Sequence, residues 1–444
     1  MPELADANEV KDIPKVESTS KPCDKTIVPK EYILPFILLT ICFALWGAAN
    51  NMTDFMVPVF KQVKEMTNFH ASIIQFAFYG AYFVLAIPAA IMIQRASYKT
   101  GVIVGLIIYA MGAFLCFPAS KVDSFSFFLL AYFVYASGCA ILETCVAPYV
   151  ISMGPESTAT QRINLAQALN PVGSVLGIYL GKKVILENLT PAETYKSLEG
   201  AAKSVAEAQD LSFVVKAYML VGLVGLIVCA IIFVTKFPKK SAEKTGGVGD
   251  AFGRLFKNKN YVFSVIAQFF YVGCQIGIWT NVTAYVINAK IGVTEQNDAW
   301  WFYLYSLCAF LASRFVFTFL MKFIDPARLL SFAAIVASVL TTVVIFTTGH
   351  VGVYSLVATS AFMSLMFPTI YGLGLLGLDD NDRKVGGSGI IMAIVGGAVL
   401  VPTQGFLADK FGVSASFAMP LVCFILVAVY GFVAHQKEEE SGIA

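Results

Sequence analysis

Charged residues are scarce in this 444-residue chain, where Asp, Glu, Lys and Arg make up 14%, against about 25% in soluble domains. Hydrophobic residues reach 57%, which leaves too little polar surface for a soluble fold of this size. The 31 basic and 29 acidic residues leave a net charge of +2, so no basic excess indicates a nucleic-acid partner. The composition therefore predicts an integral membrane protein.

Histidine is scarcer still, with three in the chain, His70, His350 and His435, each at the end of an apolar stretch. The sequence contains no HExxH and no GxxxxGK[ST], which excludes the common zinc-protease and nucleotide-binding motifs. Of the nine cysteines, those in apolar stretches show no metal-ligand spacing, so we expect them to pack as small side chains. We therefore predict no enzyme, no catalytic residue, no cofactor and no metal.

Apolar stretches of about 20 residues, the length that crosses a membrane as a helix, recur twelve times between Tyr32 and His435. They predict an all-α integral membrane protein with twelve transmembrane helices. The predicted spans are 32–60, 68–94, 98–117, 122–151, 160–186, 212–236, 259–289, 297–323, 326–347, 350–378, 385–408 and 413–435.

A basic linker divides the twelve spans into six and six. We expect a polar tail at 1–31, a first group of spans at 32–236, the linker at 237–258, a second group at 259–435 and a tail at 436–444. The two groups share weak internal matches, which are typical of transporters whose substrate site lies between repeats. The matches are Thr53-Asp54 with Thr280-Asn281, Pro148 with Pro368, and Gly173…Gly181 with Gly397…Gly405.

The distribution of basic residues predicts the orientation. With both termini in the cytoplasm, inside segments hold 20 of the Lys and Arg residues and outside segments hold 10, as the positive-inside rule favours. We expect a multi-pass protein of the cell (inner) membrane, with no cleaved signal peptide because residues 1–30 lack an apolar core. The longest outside connection, Lys182 to Asp210, is predicted to form a soluble cap.

Ionisable residues inside the spans are expensive in a bilayer and usually functional. Asp54 follows Trp46, Asn50 and Asn51 at helical spacing, so these four share one face. Glu143 has small neighbours one turn away on either side, which leaves room for a ligand. Because burial favours the neutral form of a carboxyl, Asp54 and Glu143 are candidates for proton coupling, although a purely structural pairing remains open.

Arg314 is the third ionisable residue within a span. It lies near the predicted cytoplasmic end of its span, where a long basic side chain can extend to the water interface. We therefore leave Arg314 outside the predicted site. The run Asp379, Asp380, Asp382 is predicted as a solvated turn because Arg383 and Lys384 follow it directly.

Amides and aromatic rings recur on the fifth and seventh spans. Gln167 and Asn170 lie on one ridge of the fifth span, and Gln275 and Trp279 lie one turn apart on the seventh. Amides donate and accept hydrogen bonds, and rings stack on the C–H faces of a sugar, so the set is typical of a sugar site. Hydrogen bonding between helices and aromatic core packing remain open as alternatives.

Five blocks resemble the L-fucose/proton symporter family of the major facilitator superfamily. They are WGAANNMTDFMVPVF, GCAILETCVAPYV, GPESTATQRINLAQALN, YVGCQIGIW and SAFMSLMFPTIYGLG. The resemblance implies two six-helix bundles, alternating access and a central sugar site. It also implies proton coupling and sugar recognition by Asp54 and Glu143, cavity-facing amides at Gln167 and Asn170, and fucose rather than glucose because Gln275 is followed by Trp279.

We therefore expect a proton-coupled importer of L-fucose or a related hexose, acting as a monomer in the lipid bilayer. The predicted sugar-binding residues are Trp46, Asn50, Asn51, Glu143, Gln167, Asn170, Gln275 and Trp279. The nearest alternative is a sodium-coupled glucose/galactose transporter of the same fold, with Asp54 as an ion ligand. A membrane sugar sensor that transports nothing and an intramembrane transferase are further alternatives.

Overall fold

The computed structural model describes residues 26–63, 68–122, 124–237, 247–294 and 296–441, and their side chains except at 53–63, 68–72, 74–75, 186, 192–193, 196, 296–297 and 437–441. Within these ranges the regular structure is helical throughout. The helices are built from long apolar segments, because a helix satisfies its own backbone hydrogen bonds in a medium without water.

Two bundles form from the first and second halves of the chain. In the first bundle, α3 packs on α4 and α8, α1 packs on α6, and α2 packs on α4. Its helices are α1 (Ile33–Val63), α2 (Asn68–Arg95), α3 (Tyr98–Val122), α4 (Phe125–Ile151), α5 (Ala159–Gln167), α6 (Leu169–Leu180), α7 (Ala192–Ser197) and α8 (Gly200–Val234).

The second bundle follows a short linker helix, α9 (Val248–Leu255). In it, α12 packs on α18 and α13, and α10 packs on α16 and α18. Its helices are α10 (Lys259–Asn288), α11 (Gln296–Leu320), α12 (Pro326–Phe346), α13 (His350–Met363), α14 (Met366–Gly374), α15 (Asp380–Met392), α16 (Gly396–Phe411), α17 (Val413–Ser416) and α18 (Ala418–Ser441).

Two of the predicted spans are each divided into two helices just before a proline. In the described ranges, eleven helical segments are long and apolar enough to cross a membrane, and the remaining predicted span consists of α5 and α6, which are divided at Ala168. The division lies three residues before Pro171, whose ring clashes with the carbonyl four residues earlier. Pro368 follows the division between α13 and α14 in the same way.

Corresponding helices cross closely in the two bundles. A side chain at Gly173 on α6 would meet the carbonyl of Ala44 on α1, and one at Gly396 on α16 would meet the carbonyl of Phe269 on α10. Small residues permit this approach of two backbones in a membrane. The internal match between Gly173 and the segment at Gly397 therefore corresponds to the same crossing in each half.

Gly173→Ala is expected to destabilise the first bundle by about 1–3 kcal/mol, because the added methyl overlaps backbone rather than a movable side chain. The readout is the temperature at which the detergent-purified protein loses its monodisperse peak. Gly405→Ala is the matched control, since that position on α16 faces open space, and it should not lower this temperature. Equal behaviour of the two variants would contradict the crossing as described.

Two connecting segments are more ordered than predicted. Helix α8 begins at Gly200, so its first turns belong to the connection predicted as a cap, and the buried Asp210 there accepts hydrogen bonds from the Thr190 N–H and hydroxyl at 3.1 Å each. The prediction of a solvated turn at Asp379–Asp382 was wrong. Asp379 caps α15 by accepting from the Asp382 N–H at 2.7 Å, and Asp382 forms an ion pair with Arg254 of the linker helix α9.

The two bundles contact each other on the side where the linker lies, which we call the linker side. Gln94 at the end of α2 donates to Asn381 of α15 at 2.6 Å. Asn164 of α5 donates to the Thr369 hydroxyl of α14 at 3.1 Å, and Gln161 donates to the Thr318 carbonyl of α11 at 3.0 Å. These contacts close the space between the bundles toward the linker side.

Candidate functional site

Glu143 lies on α4 with 2% of its surface exposed, and neither carboxyl oxygen has a hydrogen-bond partner among the described residues. Its neighbours one turn away, Cys139, Ala140 and Ala147, are small and buried. The hydroxyls of Tyr82 on α2 and Tyr371 on α14 lie within electrostatic range of the carboxyl, so groups from both bundles surround it. A buried carboxyl without a partner is stable chiefly in its protonated form or with a ligand bound.

The predicted residues of α1 lie at the contact with other helices. The Trp46 indole donates to the hydroxyl of Tyr82, which links Trp46 to the surroundings of Glu143. Asn51 is buried, donates to the Gly47 carbonyl at 3.0 Å and accepts from the Tyr303 hydroxyl of α11 at 3.3 Å. Asn50 is half-buried.

Asp54 lies in α1, three residues after Asn51, but its side chain is outside the described residues. The prediction that it couples protons therefore stays a prediction. On an undistorted helix, residues three and four apart lie on one face, which is the argument that associates Asp54 with Asn51 and Asn50.

The two predicted amides of the fifth span have different surroundings. Gln167, the last residue of α5, is 4% exposed and its amide nitrogen has no partner among the described residues. Asn170, in the first turn of α6, is half-buried and donates to the Phe43 carbonyl of α1 at 3.3 Å. Gln167 therefore has a free donor for a ligand, whereas the Asn170 donor joins α6 to α1.

In the second bundle, the predicted pair lies on α10. Trp279 donates from its indole nitrogen to the Ser360 hydroxyl at 3.2 Å, and its ring packs edge-on against Phe310 with centroids 5.1 Å apart. Gln275 lies one turn earlier and is half-buried. The indole face is thus held in a fixed orientation by α11 and α13.

The structure contradicts the predicted placement of Arg314 at the water interface. It is 3% exposed, its guanidinium carbon lies 5.0 Å from the Phe310 ring centroid, and its Nε and Nη1 atoms have no hydrogen-bond partner among the described residues. A side chain that extends to the water interface would be exposed, so that prediction was wrong. The spacing of Phe310 and Arg314 by one turn was the available signal, because it predicts a cation over an aromatic face.

Tyr371 was also missed. It lies on α14, is fully buried, and its hydroxyl has no hydrogen-bond partner among the described residues. A side chain at Gly387 on α15 would come within 2.5 Å of this hydroxyl and within 3.6 Å of Pro148 on α4. Tyr371 therefore lies where three helices from both bundles meet, beside Glu143.

We propose that the unpaired Nε and Nη1 donors of Arg314 bind the sugar. Arg314→Gln is then expected to weaken sugar binding by about 10- to 150-fold, because a hydrogen bond from a charged donor contributes about 1.5–3 kcal/mol. Binding is measured by equilibrium dialysis with labelled sugar, and Arg328→Gln, an exposed arginine at the start of α12, is the control. If Arg314 has only a structural role, Arg314→Gln should stabilise the protein, because it removes an unpaired buried charge, and the affinity for sugar should not change.

No group of three or more His, Cys, Asp and Glu residues in the described ranges could hold a metal ion. The described side chains present a carboxyl and an amide in the first bundle, at Glu143 and Gln167, and a guanidinium and an indole ring in the second, at Arg314 and Trp279. Such groups recognise an uncharged polar molecule through hydrogen bonds and ring contacts.

Comparison with known proteins gives consistent matches. Residues 36–383 match the Major Facilitator Superfamily. The chain is 40% identical over 424 residues to the L-fucose-proton symporter of Haemophilus influenzae, covering 91% of this chain and 97% of that protein. It is 34% identical over 415 residues to a glucose/galactose transporter of Brucella abortus, covering 93% and 97%.

Among solved structures, the fold is similar to the transporter FucP in its outward conformation, with a TM-score of 0.84 and 34% identity over 91% of this chain and 99% of that one. These relatives are transporters and not enzymes. The chain is a multi-pass membrane transporter, and it belongs to the L-fucose/proton symporter family of the major facilitator superfamily.

Proposed function

We propose that this protein imports L-fucose, or a closely related hexose, together with a proton, by alternating access between its two bundles. The observation that carries the proposal is the buried carboxyl of Glu143, which has no hydrogen-bond partner in the described part of the chain and is close to tyrosines of both bundles. Such a carboxyl can take up a proton, and it can accept a hydrogen bond from a sugar hydroxyl.

Sugar recognition is assigned to both bundles. Glu143, Gln167 and the α1 amides Asn50 and Asn51 are proposed to bind hydroxyls, with Asn170 at the edge of this set. Trp279 is proposed to stack against the less polar face of the ring, because its indole is held in place by Ser360 and Phe310. Trp46, Gln275 and Arg314 complete the proposed site. A deoxyhexose such as L-fucose has a methyl group, which suits the aromatic side.

Proton coupling is assigned to Asp54 and Glu143. An ionised carboxylate near the middle of the bilayer is unfavourable by about 2.5–3.5 kcal/mol, so the loaded carrier would change conformation most readily when Asp54 has taken up a proton and Glu143 is hydrogen-bonded to the sugar. One charge crossing a potential of about 100 mV supplies about 2.3 kcal/mol, which supports roughly fifty-fold accumulation of sugar.

Alternating access requires the two bundles to separate on one side at a time. The contacts of Gln94 with Asn381 and of Asn164 with Thr369 join the bundles on the linker side, so they must break before sugar can leave in that direction. In the proposed orientation, with both termini and the linker in the cytoplasm of a cell-membrane protein, this is the release step of import. We propose 32–236 and 259–435 as the two domains, each of which would move as one body, with 237–258 as linker, in a monomer.

A sodium-coupled glucose/galactose transporter is the second candidate, because a relative named a glucose/galactose transporter is 34% identical to the chain. Carboxylate and amide oxygens at Asp54, Asn50 and Asn51 would be suitable sodium ligands. The identity to the L-fucose-proton symporter of Haemophilus influenzae is higher, at 40%, and favours the first candidate.

Counterflow tests the sugar specificity. Liposomes containing the purified protein are loaded with unlabelled L-fucose, and entry of labelled L-fucose is followed while D-glucose, D-galactose or L-fucose competes outside. The proposal predicts that L-fucose competes at the lowest concentration. Competition by D-glucose and D-galactose at lower concentrations than L-fucose would establish the second candidate instead.

A further inference from the structure

A groove of about 440 Å³ lies between the end of α3 and the first half of α8, on the side opposite the linker. It is formed by the periphery of the first bundle and shares no residue with the proposed sugar site. Its lining combines two lysines, one glutamate, small polar residues and an apolar wall. The residues on which the argument depends are Phe117, Lys121, Glu207, Lys216 and Met219.

The two lysines mark the boundary between water and hydrocarbon. On α3, the twenty residues from Gly101 to Ser120 carry no charge, and Lys121 is the first charged residue after them. On α8, Ala217 to Val234 carry no charge, and Lys216 immediately precedes them. Because α3 and α8 pack together, the two ammonium groups lie at the level where phospholipid phosphates are found.

Apolar surface continues from this groove along the same two helices into the membrane. Phe117 and Met111 on α3 are each 48% exposed, and Leu220 on α8 is 45% exposed. Exposed side chains of this kind, below a pair of cations, match a molecule with an anionic head and a hydrocarbon tail.

Glu207 is the one acidic residue in the lining. It accepts a hydrogen bond from the Tyr195 hydroxyl at 3.0 Å and lies nine residues before Lys216, which on a helix is about 13 Å farther from the bilayer. The carboxylate is therefore outside the plane of the two lysines, and the charge of the described lining residues at the level of the phosphates is positive.

We propose that this groove binds one anionic phospholipid, of the phosphatidylglycerol type, with its phosphate between Lys121 and Lys216 and an acyl chain along Phe117 and Met219. In the orientation proposed above, the lipid belongs to the outer leaflet. The site is separate from sugar transport, so it is independent of the proposed function.

The test is native mass spectrometry of purified full-length protein equilibrated with equimolar phosphatidylglycerol and phosphatidylcholine. The wild type should retain one phosphatidylglycerol in preference to phosphatidylcholine. The double variant K121Q/K216Q should bind phosphatidylglycerol about 30-fold more weakly, because it loses two lysines that attract an anionic lipid at the membrane surface. Each single variant should have an intermediate affinity. Counterflow of sugar by the variants shows that they are folded.

The double variant K290Q/K410Q is the matched control. Lys410 stacks over Phe406 and Phe411, much as Lys121 stacks over Phe117, but neither Lys290 nor Lys410 lines the groove. This control should retain the lipid. Equal loss in both double variants, wild-type retention by K121Q/K216Q, equal binding of phosphatidylcholine, or displacement of the lipid by inorganic phosphate would each overturn the proposal.

Discussion

Asp54→Asn is expected to abolish uphill sugar uptake while preserving exchange of sugar across the membrane. Asparagine keeps the size and hydrogen-bonding capacity of the carboxyl but cannot take up or release a proton. Without that step the membrane potential does no work on the sugar, so accumulation should fall from as much as about fifty-fold to equality on both sides. The measurement is labelled L-fucose in proteoliposomes with an imposed proton gradient.

The same preparation provides the control for this prediction. Asp409→Asn replaces an exposed carboxylate near the end of α16 and should leave accumulation unchanged. Exchange between internal and external sugar should continue in Asp54→Asn, because the neutral side chain resembles the protonated state. Gradient-driven accumulation at the wild-type level by Asp54→Asn would refute the role assigned to Asp54.

Glu143→Gln is expected to make sugar binding independent of pH and to stop active uptake. In the wild type, the carboxyl has no partner among the described residues, so its protonation state and the presence of sugar depend on each other. An amide cannot titrate, so the affinity for sugar should be the same at pH 5 and at pH 8. Glu143→Ala should bind sugar more weakly than Glu143→Gln, because it also lacks a hydrogen-bonding group.

Binding to detergent-solubilised protein by isothermal titration calorimetry at several pH values measures this effect. Glu187→Gln is the control, because Glu187 pairs with Lys183 in an exposed ion pair of 2.9 Å that contributes little to stability. If Glu143→Gln binds sugar with the same pH dependence as the wild type, the link assigned here between protonation of Glu143 and sugar binding is refuted.

The sequence predicted the helices well and the surroundings of individual side chains less well. Long uncharged stretches determine where helices cross a membrane, so the spans at α3 and α4 could be placed within a few residues. The division between α5 and α6 at Ala168 lies three residues before Pro171, but the single span predicted at 160–186 did not include it. The early start of α8 was missed because polar residues around Gly200 carry no apolar signal.

The charged residues show why the surroundings of individual side chains could not be predicted from the sequence. The small neighbours of Glu143 could be predicted because they lie on its own helix, whereas the burial of Arg314 depends on how α11 packs against α10 and α13. Arg314 lies at a distance from the end of its span at which the side chain could either extend to the water interface or be buried between helices. Asp382 was misread for the same reason, since its partner Arg254 lies 128 residues earlier.

The most direct test of proton-coupled import is the pH of a weakly buffered suspension of proteoliposomes or cells when L-fucose is added. The account predicts that the external medium becomes alkaline in proportion to sugar uptake, that replacing sodium with choline has no effect, and that Asp54→Asn gives no signal. Uptake of L-fucose without any movement of protons, or uptake that requires sodium, would contradict the account.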